Sequence, residues 1–302
     1  MIDISQPILD EFKNIFFVKG ERNGGYPYSN SLLIEDYLID TGISSKHLRK
    51  LKRNFSINHV ILSHWHEDHI SGNRLLKNAR FLCHREDKHI VEDIYKMIPY
   101  YGLTNTIAED MLIPIIEGFK IKNTKIDKTI EDNNLIKIND YQLKVIHTPG
   151  HTAGHCCFYE ESSKIAFLAD IDLTNFIFYG GIDSNLIDYE KSIEKVEKLL
   201  LPQCEIAISA HKGVFQGKKL IKEELKNYKL IIHKNDERLL SHLSERKPIN
   251  SQDLTEKNII YKRYSEWKEF EIIAEKIMIE KHFEKFLMEN LIEKTKNGYV
   301  LR

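Results

Sequence analysis

Short apolar runs separated by turn residues dominate the first sixty positions. Phe16-Phe17-Val18, Ser31-Leu32-Leu33-Ile34, Tyr37-Leu38-Ile39 and Val60-Ile61-Leu62 are punctuated by Gly24-Gly25, Pro27 and Thr41-Gly42. Such runs predict strands joined by tight turns. Leu75 and Leu76 fall in a short helical stretch, and residues 79–83 form another strand. Between 87 and 119, Ile90, Ile94, Met97, Met111, Leu112 and Ile115 recur at three- and four-residue spacing, which predicts two helices broken around Gly102. Strand character returns over 129–168, with alternation in Leu135-Ile136-Lys137-Ile138 and Leu143-Lys144-Val145-Ile146. Ile193, Val196 and Leu200 share a face of a helix over 189–201 that Pro202 ends, and Ile206-Ala207-Ile208 is a further strand. The order predicts an α/β protein with much antiparallel sheet.

Past Gly217 helical spacing takes over. Ser251 reads as a helix cap, 267–287 as a long amphipathic helix, and 291–301 as a hairpin turning at Asn297-Gly298. Helices closed by a hairpin suggest a winged helix, so the expected division is 1–217 and 218–302. The whole chain, 302 residues with net charge −1, is not the broadly basic protein that bulk charge would hold to nucleic acid, although a local basic groove stays open. No basic region precedes an apolar run at the N-terminus, and no stretch approaches the ~18 apolar residues of a membrane helix. Cys83, Cys156, Cys157 and Cys204 form no C-x-x-C pair, and strand alternation sends Cys156 and Cys157 to opposite faces. A reduced, cytoplasmic protein with no membrane partner is expected.

Histidine changes the picture. Six of 14 lie between His59 and His89, and three more between His147 and His155. Ser63-His64-Trp65-His66-Glu67-Asp68-His69 follows the strand Val60-Ile61-Leu62. There His64 and His66 can point one way from an extended backbone, while Asp68 and His69 turn into the next helix. Imidazole and carboxylate suit zinc, iron or manganese. Three more strands end in ligand-capable residues: His151 within His147-Thr148-Pro149-Gly150-His151-Thr152-Ala153-Gly154-His155, Asp170 after Ile165-Ala166-Phe167-Leu168-Ala169, and His211 in Ala210-His211-Lys212-Gly213.

These four segments resemble the metallo-β-lactamase superfamily. The resemblance spans about residues 28–215 and implies an αββα sandwich holding two divalent metal ions, zinc first with iron or manganese as alternatives. It implies that His64, His66 and His151 hold one ion, that Asp68, His69 and His211 hold the other, and that Asp170 bridges them. Asp40, in Leu38-Ile39-Asp40-Thr41-Gly42, would orient a ligand imidazole or simply shape the turn. His147 and His155 read as hydrogen-bonded structural residues, and His84 and His89 as surface residues. Trp65 is a candidate cleft wall and Glu67 a solvent-facing carboxylate. Tyr28 and Asn30 occupy a loop that could approach the cleft.

The implied chemistry is hydrolysis by a metal-bridging hydroxide, with Asp68 steering its proton. Asp170 argues against β-lactam hydrolysis, since the β-lactamases of this superfamily lack it. The tail resembles that of small β-lactamase-like endoribonucleases, so the first expectation is cleavage of a phosphodiester in single-stranded RNA. A glyoxalase-type thioester hydrolase is the alternative. An iron-dependent persulfide dioxygenase and a ligand-sensing DNA-binding regulator stand behind it. The expected partners are therefore a small molecule or single-stranded RNA, with homodimerisation an option. Within 267–289 four lysines face six acids, which suits packing better than phosphate binding. Lys257, Lys262 and Arg263, with Tyr261 and Tyr264 as stacking surfaces, are the tail's candidates for holding RNA.

Overall fold

Alternation along each strand sends neighbouring side chains to opposite faces, and a strand apolar at every position must be covered on both. The computed structural model describes residues 5–8, 12, 14–106, 109–200 and 202–302. Expectations for residues 1–4 and Leu201, and for the side chains of Met111 and Ile115, fall outside the described residues. Among these residues one sheet follows chain order: β1 (Ser5–Pro7), β2 (Ile15–Val18), β3 (Ser31–Ile34), β4 (Tyr37–Ile39), β5 (His59–Ile61), β6 (Arg80–His84) and β7 (Lys128–Ile130). It is antiparallel from β1 to β4 and parallel from β4 to β7. The second sheet holds β8 (Leu135–Ile138), β9 (Tyr141–His147), β10 (Cys156–Glu160), β11 (Ile165–Ala169), β12 (Ile206–Ser209) and β13 (Gly213–Gln216), in spatial order β13-β12-β11-β10-β9-β8. Only β11 and β12 pair in parallel there.

The two sheets face each other across Leu32, Ile39, Ile61, Val145, Phe158, Phe167 and Ile208. Cys156 joins this inner core and Cys157 the outer one, as alternation required. Outside the first sheet lie α1 (Ser45–Asn54), α2 (Glu67–Ile70), α3 (Arg85–Val91), α4 (Met97–Tyr100) and α5 (Glu109–Gly118), burying Leu48, Leu51, Ile90 and Met97. The expected break around Gly102, at φ +69°, separates α4 from α5, but the first of the two expected helices is itself split into α3 and α4, because Asp93 takes a non-helical backbone (φ −142°, ψ 88°) between them. Outside the second sheet lie α6 (Leu186–Leu200), α7 (Lys218–Leu240), α8 (Ser251–Leu254) and α9 (Lys268–Met288). The layering is α-β-β-α.

The C-terminal region is helical and closes in the hairpin β14 (Ile292–Thr295) and β15 (Gly298–Leu301). Its apolar residues Leu225, Tyr228, Ile232, Met278, Phe283 and Ile292 belong to the same core as Ala166, Leu168 and Ala207 of the second sheet. The cap of α8 is Asn250 rather than Ser251. Its side chain accepts from the backbone of Asp253, whose carboxylate takes the Asn250 N–H at 2.9 Å. Among the described residues no helix is long and apolar enough to cross a membrane.

Candidate metal centre

Loops after β4, β5, β9, β11 and β12 meet at one edge of the sandwich and bring all seven expected residues together. His151 Nε2 lies 3.2 Å from His64 Nε2 and 2.8 Å from His66 Nδ1, with Asp170 Oδ2 3.1 Å from His151 Nε2 and 3.8 Å from His64 Nε2. On the other side His211 Nε2 is 3.4 Å from both Asp68 Oδ2 and Asp170 Oδ1, and His69 Nε2 is 3.0 Å from Asp170 Oδ1. The donors form two groups, His64/His66/His151/Asp170 and Asp68/His69/His211, each able to surround one ion. Asp170 presents one carboxylate oxygen to each. Around a tetrahedral zinc at ~2.0–2.1 Å, neighbouring ligand atoms stand about 3.3 Å apart, and these spacings bracket that value.

Polar atoms left without partners support the fit. His69 Nε2 and Asp170 Oδ1 are buried and close, yet neither makes a hydrogen bond. A buried donor or acceptor left unpaired is costly, and a cation between them removes that cost. The far side of most imidazoles is held. His69 Nδ1 donates to Asp40 Oδ2 at 2.7 Å, His151 Nδ1 to the Phe178 carbonyl at 2.8 Å and His211 Nδ1 to the Gly24 carbonyl at 2.7 Å. Each such bond places the proton outward and aims the Nε2 lone pair at the centre. His66 instead stacks on Tyr101, with ring centroids 5.5 Å apart. Asp40 both shapes the turn, at φ +63°, and orients His69, while also taking the Ser63 N–H at 2.8 Å. Gly42 is required beside it, because a Cβ there would stand 1.4 Å from the Asp68 carbonyl oxygen.

Charge around the centre is arranged for cations. Burial drives His64 and His66 well below the usual imidazole range, helped by His69 and His151. Burial opposes charge on His69 and His211 as well, but Asp170 and Asp68 overcome it. They hold His69 well above its usual range and His211 at about 10. Burial would raise Asp170; the imidazoles of His69, His211 and His151 instead bring it well below the ordinary carboxylate range.

His155 is the hydrogen-bonded structural residue expected, and two further contributors, both tyrosines, carried no sequence signal. His155 is driven down to about 3 by burial and the neighbouring His151, so its neutral Nε2 accepts the Asp170 N–H at 3.1 Å. The Tyr189 and Tyr228 hydroxyls, from α6 and α7, both donate to the Asp170 carbonyl, the latter at 3.0 Å. On a helix face a tyrosine reads as core until the neighbouring layer is known. Other expectations need correction. Glu67 is buried, its carboxylate taking Tyr26 OH at 3.0 Å and Tyr101 OH at 2.6 Å, because the turn of α2 points it inward. Trp65 is buried and donates to Asp183 at 3.1 Å rather than lining the cleft. His84 is buried and stacked on His147 at 3.9 Å. Asn30 braces loops, accepting the Gly20 N–H at 3.0 Å. A third group, Glu190, His233 and Asp236, has metal-like spacing, but the Lys285 ammonium already sits between its carboxylates at 2.7–2.8 Å.

Residues 24–211 match the metallo-beta-lactamase superfamily. The chain is 27% identical over 186 residues to a hydroxyacylglutathione hydrolase of Haemophilus influenzae, covering 58% of this chain and 78% of that protein. It is 24% identical over 216 residues to an atrochrysone carboxyl ACP thioesterase of Claviceps purpurea, covering 70% of this chain and 56% of the relative. A metallo-beta-lactamase family protein of Thermus thermophilus shares the fold over 99% of this chain and 97% of its own, with a TM-score of 0.67 at 18% identity.

Proposed function

Since this chain belongs to the metallo-β-lactamase superfamily, we propose that it is a two-metal hydrolase that cleaves thioesters. The observation that carries the two-metal reading is the Asp170 carboxylate, one oxygen turned to each cluster of imidazoles. His64, His66 and His151 would hold one ion and Asp68, His69 and His211 the other. When bound, two such ions supply a water acidified toward neutrality and polarise the substrate carbonyl. The chain's own part is to fix the donors and to manage a proton. Asp40, Phe178 O and Gly24 O lock the imidazole orientations, His155, Tyr189 and Tyr228 clamp the backbone of Asp170, and the Asp68 oxygen that does not hold the ion would accept the proton of the attacking water. A leaving thiolate needs little protonation, since a free thiol has pKa ≈ 8.5.

Thioester rather than phosphodiester is favoured because two relatives carry thioester-hydrolase names. The tail's expected RNA-stacking rings are also engaged: Tyr261 packs on Phe176 at 4.8 Å, and the Tyr264 hydroxyl bonds to Glu275. The test is metal analysis of purified protein together with a panel of thioester, single-stranded RNA and lactam substrates. About two metal equivalents and preferential thioester turnover are expected. RNA cleavage without thioester cleavage would restore the endoribonuclease reading. Asp68→Ala should lower turnover by roughly 10²-fold or more while the protein stays folded; near-normal turnover at full metal occupancy would remove Asp68 from the mechanism.

A further inference from the structure

A cavity of about 460 Å³ is lined by residues that neighbour the metal ligands, though by none of the seven ligands themselves. One wall is the loop after Asp170, including Leu173 and Phe176, and another is the exposed face of α7. Lys212 follows His211 directly. Tyr228, which lines the cavity, is also the residue whose hydroxyl holds the Asp170 carbonyl at 3.0 Å. The cavity and the centre therefore share a wall.

Its charge is unlike that of the chain. Lys212, Lys234, Arg238 and Lys262 line it against one acid, Glu224, a local excess of three positive charges (4 − 1) on a chain of net charge −1. Lys212 is committed to Glu224 at 2.7 Å and to the Leu173 carbonyl at 2.8 Å. Arg238 donates to the Ile259 carbonyl at 3.2 Å. Lys234 and Lys262 make no ion pair among the described residues. Lys234 and Arg238 stand one turn apart on α7. Between the charges lie apolar surfaces: Phe176 and Leu230 are 37% and 38% exposed, and Ile260 lies beneath them.

We propose that this cavity seats the carrier half of the substrate, a thiol on a mixed apolar and amide arm that ends in a phosphate ester. The proposal rests on the thioester reading above and names its substrate class. The phosphate meets Lys234 and Lys262 with Arg238 behind them, the arm lies along Phe176 and Leu230, and its thioester end reaches the metal centre over the wall set by Tyr228. In the reaction the acyl C–S bond breaks and a C–O bond to water oxygen forms. One water proton goes through Asp68 to the departing sulfur, giving a carboxylic acid and the free thiol, with no redox change.

The test compares pantetheine 4′-phosphate with pantetheine as probes in calorimetric titration of the metal-loaded chain, and their S-acetyl forms as substrates. The phosphorylated probe should bind at least about tenfold tighter. Lys234→Glu with Lys262→Glu should collapse both this preference and the KM ratio of the two thioesters to about one, and Lys234→Arg with Lys262→Arg should restore them. Charge-assisted contacts to phosphate are strong enough for such a change. Equal affinities in the unmodified chain, or a preference that survives charge reversal, would overturn the proposal. Phosphate preference without thioester cleavage would keep the subsite and overturn the hydrolase reading. Thioester cleavage without the preference would do the reverse. A single-stranded oligonucleotide that displaces the probe and is itself cut would assign the phosphate site to RNA and overturn the carrier arm.

Discussion

The imidazole of His69 depends on a carboxylate that never faces the substrate. Asp40 is fully buried, takes the His69 Nδ1 proton at 2.7 Å and is itself held by Ser63. Removing such an outer partner typically weakens a metal site 10–100-fold. Asp40→Ala should therefore lose metal from the Asp68/His69/His211 cluster first, with activity regained in excess metal; a metal titration with unchanged stoichiometry and affinity would refute the role. Protons compete for the same positions. In the metal-free protein Asp170 and Asp68 push His211 up to about 10 and His69 above its usual range, so His211 carries a proton near pH 7.5. Metal loading there should release about one proton or more, measurable in buffers of different ionisation enthalpy. The sign for stability follows. The folded value of His211 lies above the unfolded ~6.5, so its ion pairs stabilise the metal-free chain fully below about pH 6.5 and are lost as pH rises through about 10. The thermal stability of the metal-free protein should fall across that window.

At the scale of elements, three helices are pinned by one ammonium. Lys285 of α9 is 6% exposed and bridges Glu190 of α6 at 2.8 Å and Asp236 of α7 at 2.7 Å. Asp236 also accepts from His282 Nδ1 at 2.6 Å, and His282 Nε2 meets the Tyr179 hydroxyl at 2.8 Å. Truncating the cation leaves two nearly buried carboxylates facing each other. Lys285→Ala should cost about 3–5 kcal/mol in denaturant unfolding, the range for breaking a buried pair on one side. A loss below about 1 kcal/mol would mean that water replaces the ammonium without penalty.

For the whole molecule, α7 and α9 are the outer layer over the second sheet. Ile221, Leu225, Ile232, Met278 and Phe283 share one core with Tyr159, Leu168 and Ala207. Tyr228 carries that layer to the metal centre through Asp170. Expression of residues 1–217 alone should yield a chain with exposed apolar surface that binds a hydrophobic dye and gives a weak near-ultraviolet signal. A compact, metal-loaded fragment would show that the sheet closes without its outer helices.

The sequence by itself marked most of the strands, as short apolar runs between turn residues, though not β1 or β13, and it placed at strand ends the seven residues that the family resemblance implied as ligands. It also placed Cys156 and Cys157 on opposite faces, a consequence of alternation alone. Tertiary structure decided everything that depends on which layer covers which. Glu67 and His84 look solvent-facing until Tyr26 and Tyr101 close over the first and the His147 ring over the second. Asp40 acquires its role only when β4 and β5 lie side by side. Tyr189 and Tyr228 reach Asp170 from helices 19 and 58 residues further along the chain. Local pattern records what a residue prefers to be near, whereas the partner that holds it is chosen by contacts distant in sequence, and no single window of the chain contains both.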